Sequence, residues 1–145
     1  VLFRSYVSCN IKREVVENDP KEKGERALLN FGHTLGHAIE KEMNFSLYHG
    51  ECVVLGMIAA LNICVELGTI TGEERDDALN TFALYEFPDH VTGIKIDDVI
   101  AVSKNDKKMD AGKVKFILLK SVGDAYIDRD ITDDQMRRAL EGVIR

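Results

Sequence analysis

Between Glu51 and Glu66 the chain reads CVVLGMIAALNICV, with Asn62 as the one polar interruption. A helix built from such a stretch has no polar face to turn toward water, so it needs neighbours on every side. The run falls short of the about 20 residues that a bilayer span requires, and an acidic residue closes each end. It is therefore expected to be the buried central helix of a globular domain, with Gly68 as its C-terminal stop. The chain has 145 residues, 45% hydrophobic and 30% charged. A single domain of that size buries roughly 70% of the surface its unfolded form exposes, which is enough to cover such a helix. Two prolines, eleven dispersed glycines and the absence of any repeated segment argue against a disordered, collagen-like or solenoid chain.

The flanking segments have helical periodicity on both sides. Tyr6, Val7, Ile11, Val15 and Val16 fall near one face of a first helix over about Phe3 to Glu17, which Asn18, Asp19 and Pro20 bring to an end. The segment ALLNFGHTLGHAIEKEM places Leu28, Leu35, Ile39 and Met43 at helical spacing and predicts a second helix before the central one. Thr71 with Glu74 has capping-box spacing and predicts a helix over about Gly72 to Tyr85, followed by a loop over EFPDHVTG. Asp97 is placed to cap a short helix carrying Val99, Ile100 and Val102. KVKFILL and AYID, separated by SVGD, predict a two-stranded hairpin, and Thr132 with Gln135 repeats the capping-box spacing ahead of Met136, Leu140 and Val143. The expected fold class is mostly α, a helical bundle-like domain with one small β-hairpin.

Charge and cysteine content narrow the partners. Nineteen Lys and Arg against 25 Asp and Glu leave a net charge of −6, the wrong sign for wrapping nucleic acid or coating an anionic membrane. Neither is expected as a partner. Cys9, Cys52 and Cys64 form no CxxC pair, and an odd count with no signal peptide in view argues against a disulfide framework and for a reducing cytoplasm. The first residue is Val1, already inside a helical pattern, so the chain is expected to be part of a longer protein. Cys52 and Cys64 lie on the apolar helix and are expected in the core, and His90 in an exposed loop. No G-x-S-x-G, P-loop or G-x-G-x-x-G sequence occurs, so no nucleotide-cradling turn is recognisable.

Chemistry concentrates in NFGHTLGHAIE and LYHGE, which hold three of the four histidines within seventeen residues. His33 and His37 are i and i+4, so both imidazoles face one side of a helix and can meet one metal ion. Thr34 stands where a metalloprotease helix would need Glu. The bland alternative is a pair of histidines satisfied by hydrogen bonds in a helix interface. His49 adds a third imidazole, presented from a loop before the next helix, and two or three converging neutral imidazoles suit a divalent transition metal such as zinc. Gly32 and Gly36 bracket His33 and let another backbone or a ligand approach closely. Between Lys104 and Lys120 six lysines and two aspartates give a local balance of +4, suited to an anionic small molecule or simply a solvated face. Arg26, Asn30 and His33 fall on about one helical face if the second helix reaches back that far, which would suit a polar acid substrate.

The block IKREVVENDPKEKGERALLNFGHTLGHAIE, with YHGECVVLGM and NDKKMDAGKVKFILLKSVGDAYI, resembles the C-terminal half of the 3-dehydroquinate synthase family over nearly the whole chain. The resemblance implies a two-domain fold in which an N-terminal Rossmann-like domain binds NAD and residues 1–145 form the helical, metal- and substrate-binding C-terminal domain. It implies a lyase of the shikimate pathway, in aromatic amino acid biosynthesis, that converts 3-deoxy-D-arabino-heptulosonate 7-phosphate to 3-dehydroquinate and phosphate. By the same resemblance His33 and His49 are ligands of a catalytic Zn2+ or Co2+, while His37 faces the substrate phosphate, which departs from the His33–His37 pairing that spacing alone suggests. Lys12 and Arg26 would hold the substrate carboxylate, and Asn30 would contact substrate oxygens. Lys107 or Lys108 would reach the phosphate. Catalytic roles would fall to His37, Lys12 and Asn30. The family's glycine-rich nucleotide site and its third metal ligand, a glutamate, have no counterpart here, so the chain alone is expected to bind metal weakly, to bind no NAD and to be inactive. Its own N-terminal domain is the expected partner, and the oligomeric state, a homodimer included, is left open. The alternatives are the C-terminal domain of another sugar-phosphate cyclase and a non-catalytic helical interaction module.

Overall fold

The computed structural model describes residues 2–21, 24–104 and 114–145. The chain divides into two units, residues 1–30 and Phe31–Arg145.

The first unit consists of α1 (Leu2–Asn18) and a short 3-10 helix (Glu25–Asn30) packed against it. Pro20 stops α1 as expected, and the Asp19 carboxylate then accepts the backbone N–H groups of Gly24 at 2.7 Å and Arg26 at 3.2 Å, turning the chain back. The apolar side of α1 is largely open in this unit: Tyr6 and Ile11 are exposed, and Val15 and Val16 are half-buried.

The unbroken second helix that periodicity suggests does not exist. The 3-10 helix ends at Asn30, Gly32 takes the left-handed conformation at φ 78°, and α2 (His33–Glu42) begins only after it. Leu28 and Leu35 therefore share a spacing without sharing a helix. A Cβ at Gly32 would meet the Met57 backbone N at 2.6 Å and the Val53 carbonyl at 2.7 Å, so both its conformation and its lack of a side chain are required.

In the second unit α3 (His49–Glu66) is the centre, covered by α2, α4 (Gly72–Leu84), α6 (Asp133–Leu140) and strand β1 (Phe116–Ser121). Its 18 residues have a mean hydropathy of 1.4, long and apolar enough by composition to cross a membrane and longer than the apolar run counted in the sequence; 61% of them lie buried inside the unit, as a core helix should. The polar interruption also has its partner, since Asn62 donates its side-chain amide to the Ala139 carbonyl of α6 at 3.0 Å. Gly68 follows α3 at φ 72°, the expected left-handed stop.

Both capping boxes form, Thr71 with Glu74 before α4 and Thr132 with Gln135 before α6. Helix α5 spans Ile96–Lys104, so Asp97 sits inside its first turn and not at the cap; there it faces the positive end of the helix dipole and pairs with Arg137. Strand β1 pairs antiparallel with β2 (Asp124–Asp128) around a turn with Gly123 at φ 89°. Phe116 and Leu118 are buried, and the Leu119 N–H donates to Cys64 Sγ at 3.2 Å, so the hairpin leans on α3. Met136, Leu140 and Val143 are buried as their spacing requires, and Val91, expected within a loop, forms a parallel bridge with Ile144.

Candidate metal centre

The three clustered histidines come together because α2 and α3 cross with backbone packed on backbone. Gly36 and Gly56 meet at that crossing. A Cβ at Gly36 would lie 2.8 Å from the Cys52 carbonyl, and one at Gly56 would lie 2.6 Å from the Gly36 N and fall on the Gly32 carbonyl oxygen. Of the two explanations open for Gly32 and Gly36, the structure selects backbone approach. With the backbones in contact, side chains at the start of α2 and the start of α3 share one space.

His33 and His37 occupy successive turns of α2, and His49 is the first residue of α3, not a loop residue. The side chain of Glu51 places it there by accepting the Tyr48 N–H at 2.8 Å. The ring centroids form a nearly equilateral triangle, 5.3 Å for His33–His37, 5.6 Å for His33–His49 and 5.5 Å for His37–His49. One ring nitrogen from each histidine lies within 4.8 Å of the others. His33 and His37 are half-buried and His49 is exposed, an opening through which solvent or substrate can arrive.

Imidazole nitrogens are strong donors for zinc and cobalt, and a tetrahedral ion with Zn–N bonds of about 2.0–2.1 Å holds two of them about 3.4 Å apart. The observed spacing needs a closure of about 1.4 Å at most, within reach of side-chain torsions. The donor set fits such an ion. The triangle favours neither the His33–His37 pairing nor the His33–His49 pairing, since all three edges are alike.

His33 Nδ1 lies 3.2 Å from the Phe31 carbonyl oxygen. His49 Nδ1 lies 3.2 Å from Glu40 Oε1 and 3.3 Å from Oε2. Glu40 is a neighbour of the histidine cluster that the sequence reading missed, although the signal was present: it stands three residues after His37 and seven after His33, on the same side of α2.

Lys12, Arg26 and Asn30 belong to the first unit. Lys12 is exposed on α1, the Arg26 guanidinium donates to the Pro20 carbonyl at 2.9 Å, and Asn30 donates to the Ala27 carbonyl at 3.3 Å. The shared helical face expected for Arg26, Asn30 and His33 does not form, because the 3-10 helix and Gly32 interrupt it. Lys107 and Lys108 lie outside the described residues. Cys52 and Cys64 are fully buried. Burial, with the nearby Glu40 and Glu51 carboxylates, pushes the Cys52 thiol up to about 11, and burial also raises Cys64, so neither is an activated nucleophile. His90 is half-buried and pairs with Asp89 at 2.6 Å.

Residues 5–109 match the family model described as 3-dehydroquinate synthase C-terminal. The 3-dehydroquinate synthase of Acetivibrio thermocellus is 43% identical over 134 residues, covering 92% of this chain and 37% of that protein. That of Nostoc punctiforme is 41% identical over 141 residues, covering 94% and 38%. The chain thus spans well under half the length of these curated relatives. Among solved structures, 2-epi-5-epi-valiolone synthase from Streptomyces hygroscopicus, with NAD+ and Zn2+ bound, superposes with a TM-score of 0.77 at 25% identity, covering 88% of this chain and 35% of that one. A 2-deoxy-scyllo-inosose synthase complexed with carbaglucose-6-phosphate, NAD+ and Co2+ has a TM-score of 0.73 at 22% identity, covering 91% and 39%, a likeness of fold.

Proposed function

Since the chain belongs to the 3-dehydroquinate synthase C-terminal family, we propose that it is the helical, metal- and substrate-binding half of a 3-dehydroquinate synthase. The whole enzyme would convert 3-deoxy-D-arabino-heptulosonate 7-phosphate to 3-dehydroquinate and phosphate, with the NAD-binding domain supplied by residues outside these 145. The observation that carries this reading is the convergence of His33, His37 and His49 on one space at the α2–α3 crossing.

When bound, NAD supplies a reversible oxidation of a substrate hydroxyl, and the metal supplies a Lewis acid at that oxygen. The work of this chain's residues is to hold and orient. His33 and His49 ligate the ion, and His37 donates a hydrogen bond toward the phosphate that leaves. Lys12 and Arg26 hold the substrate carboxylate, Asn30 contacts substrate oxygens, and Lys107 or Lys108 adds charge at the phosphate. A cytoplasmic setting goes with this reading of the whole enzyme.

Titrating Co2+ into the wild type and into His33→Ala, His37→Ala and His49→Ala separates the roles. Loss of binding in the His33 and His49 variants with retention in His37→Ala is expected. Loss in all three would make His37 a ligand, and equal binding by all four proteins would eliminate the site. We expect the 145-residue chain by itself to bind metal weakly, to leave NAD unbound and to turn over no substrate; turnover with NAD and a divalent metal would overturn that. The second reading, another sugar-phosphate cyclase, has the fold of the two synthases above in its favour. Assaying the whole protein with each candidate sugar phosphate decides between them.

A further inference from the structure

Two hydrogen bonds made by rings of the histidine triangle have directions that chemistry fixes. A carboxylate and a backbone carbonyl only accept, so His49 Nδ1 facing Glu40 and His33 Nδ1 facing Phe31 must each carry the proton. A neutral ring protonated at Nδ1 keeps its lone pair on Nε2. Both rings are thereby set for the same kind of donation, yet by different means. The main chain holds His33, whatever side chain stands at position 31. A side chain holds His49, which needs it more, because its ring is 54% exposed at the first position of α3. Glu40 reaches it from α2 with its own side chain only 17% exposed, and both carboxylate oxygens sit at nearly equal distance from Nδ1.

Resting on the metal reading above, we infer that Glu40 is a positioning residue. Its carboxylate locks His49 in the Nδ1–H tautomer and turns Nε2 toward the space shared with His33 and His37, where a divalent transition metal binds. Glu40 has no need to touch the ion.

Imidazole 15N–1H correlation spectra of the 145-residue chain, recorded without metal and at a pH where the rings are neutral, read the tautomer directly. The wild type is expected to show His49 protonated at Nδ1. In Glu40→Leu the proton moves to Nε2, the form that a free side chain favours in water, while His33 keeps its Nδ1–H and so reports an intact α2. Glu40→Gln retains an accepting oxygen and retains the tautomer, which keeps the test open if the leucine variant fails to fold. Co2+ affinity, read from the visible absorption of the bound ion, falls about 10- to 100-fold in Glu40→Leu and by less in Glu40→Gln. A wild-type His49 protonated at Nε2, a tautomer unmoved by Glu40→Leu, or a Co2+ affinity unmoved by it would each overturn the assignment. A wild type that shows the expected tautomers and binds no Co2+ would sink the metal reading and leave the Glu40–His49 lock standing.

Discussion

The α2–α3 crossing and the α1 unit are built in opposite physical styles. At the crossing, three imidazoles are placed by backbone packed on backbone, with Gly32, Gly36 and Gly56 leaving no room for a single added carbon. In the first unit, Ala27 is the one fully buried residue among the described side chains, and Lys12 stands in the open. The difference suits the role proposed for each group. A metal ligand must be held within about 0.5 Å of its working position, whereas a cation on a long stem can find an anion from many starting points. Precision is therefore built into the core, and charge is carried on a surface that tolerates movement.

The sharpest way to break that contrast uses two of the three cysteines, Cys9 and Cys52, one from each environment. Cys9 is exposed on α1 and Cys52 is buried on α3 with its thiol pushed up to about 11 by burial and by Glu40 and Glu51. A higher thiol pKa means less thiolate at neutral pH, and burial adds the need for opening before any reagent arrives. Cys9 is expected to react with a disulfide reagent about a thousandfold or more faster than Cys52, a difference of about 4 kcal/mol. Comparable rates in the native protein would mean that the crossing opens freely and that the imidazoles are not held as described.

Next in size is Gly56→Ala. The added methyl group meets backbone atoms of Gly32 and Gly36, which cannot rotate aside as a side chain can. Overpacking usually costs about 1–3 kcal/mol, and with main chain on the other side the upper end or beyond is expected. Chemical denaturation measures it, and Co2+ binding should fall together with stability, because separating α2 from α3 separates His33 and His37 from His49. A stable variant with unchanged Co2+ affinity would show that the crossing has slack.

The same contrast governs what could be read from the sequence. The buried α3, both capping boxes and the hairpin were legible because each depends on residues close together in the chain, such as Thr132 with Gln135. The histidine cluster was legible as a motif, His49 included, but the nearly equal edges of its triangle were not, since i, i+4 spacing speaks only for His33 and His37. The break between Asn30 and His33 was hidden because Leu28, Leu35 and Ile39 keep helical spacing across it; only the tertiary demand at Gly32, set by Met57 and Val53, produces the left-handed turn. Glu40 went unnoticed for a related reason. Its partner lies nine residues away across a loop, and nothing in HAIE says which ring it will meet.

The smallest structural effect, and the one that tests the other side of the contrast, belongs to Arg26→Ala. The guanidinium donates to the Pro20 carbonyl at 2.9 Å on the surface, while the Arg26 backbone N–H keeps its bond to the Asp19 carboxylate whatever the side chain is. Removing the side chain should therefore change stability by less than about 0.5 kcal/mol, a shift of roughly 1–2 °C in a melting curve for a chain of this length. Co2+ affinity is expected to stay unchanged as well, since the α2–α3 crossing places the imidazoles. If Arg26 holds the substrate carboxylate in the whole enzyme, KM rises by at least about tenfold there, since a charged hydrogen bond is worth about 1.5–3 kcal/mol. A melting temperature lowered as far as in Gly56→Ala would place Arg26 among the groups that build the fold, and the division between a packed metal centre and a surface-borne anion grip would be lost.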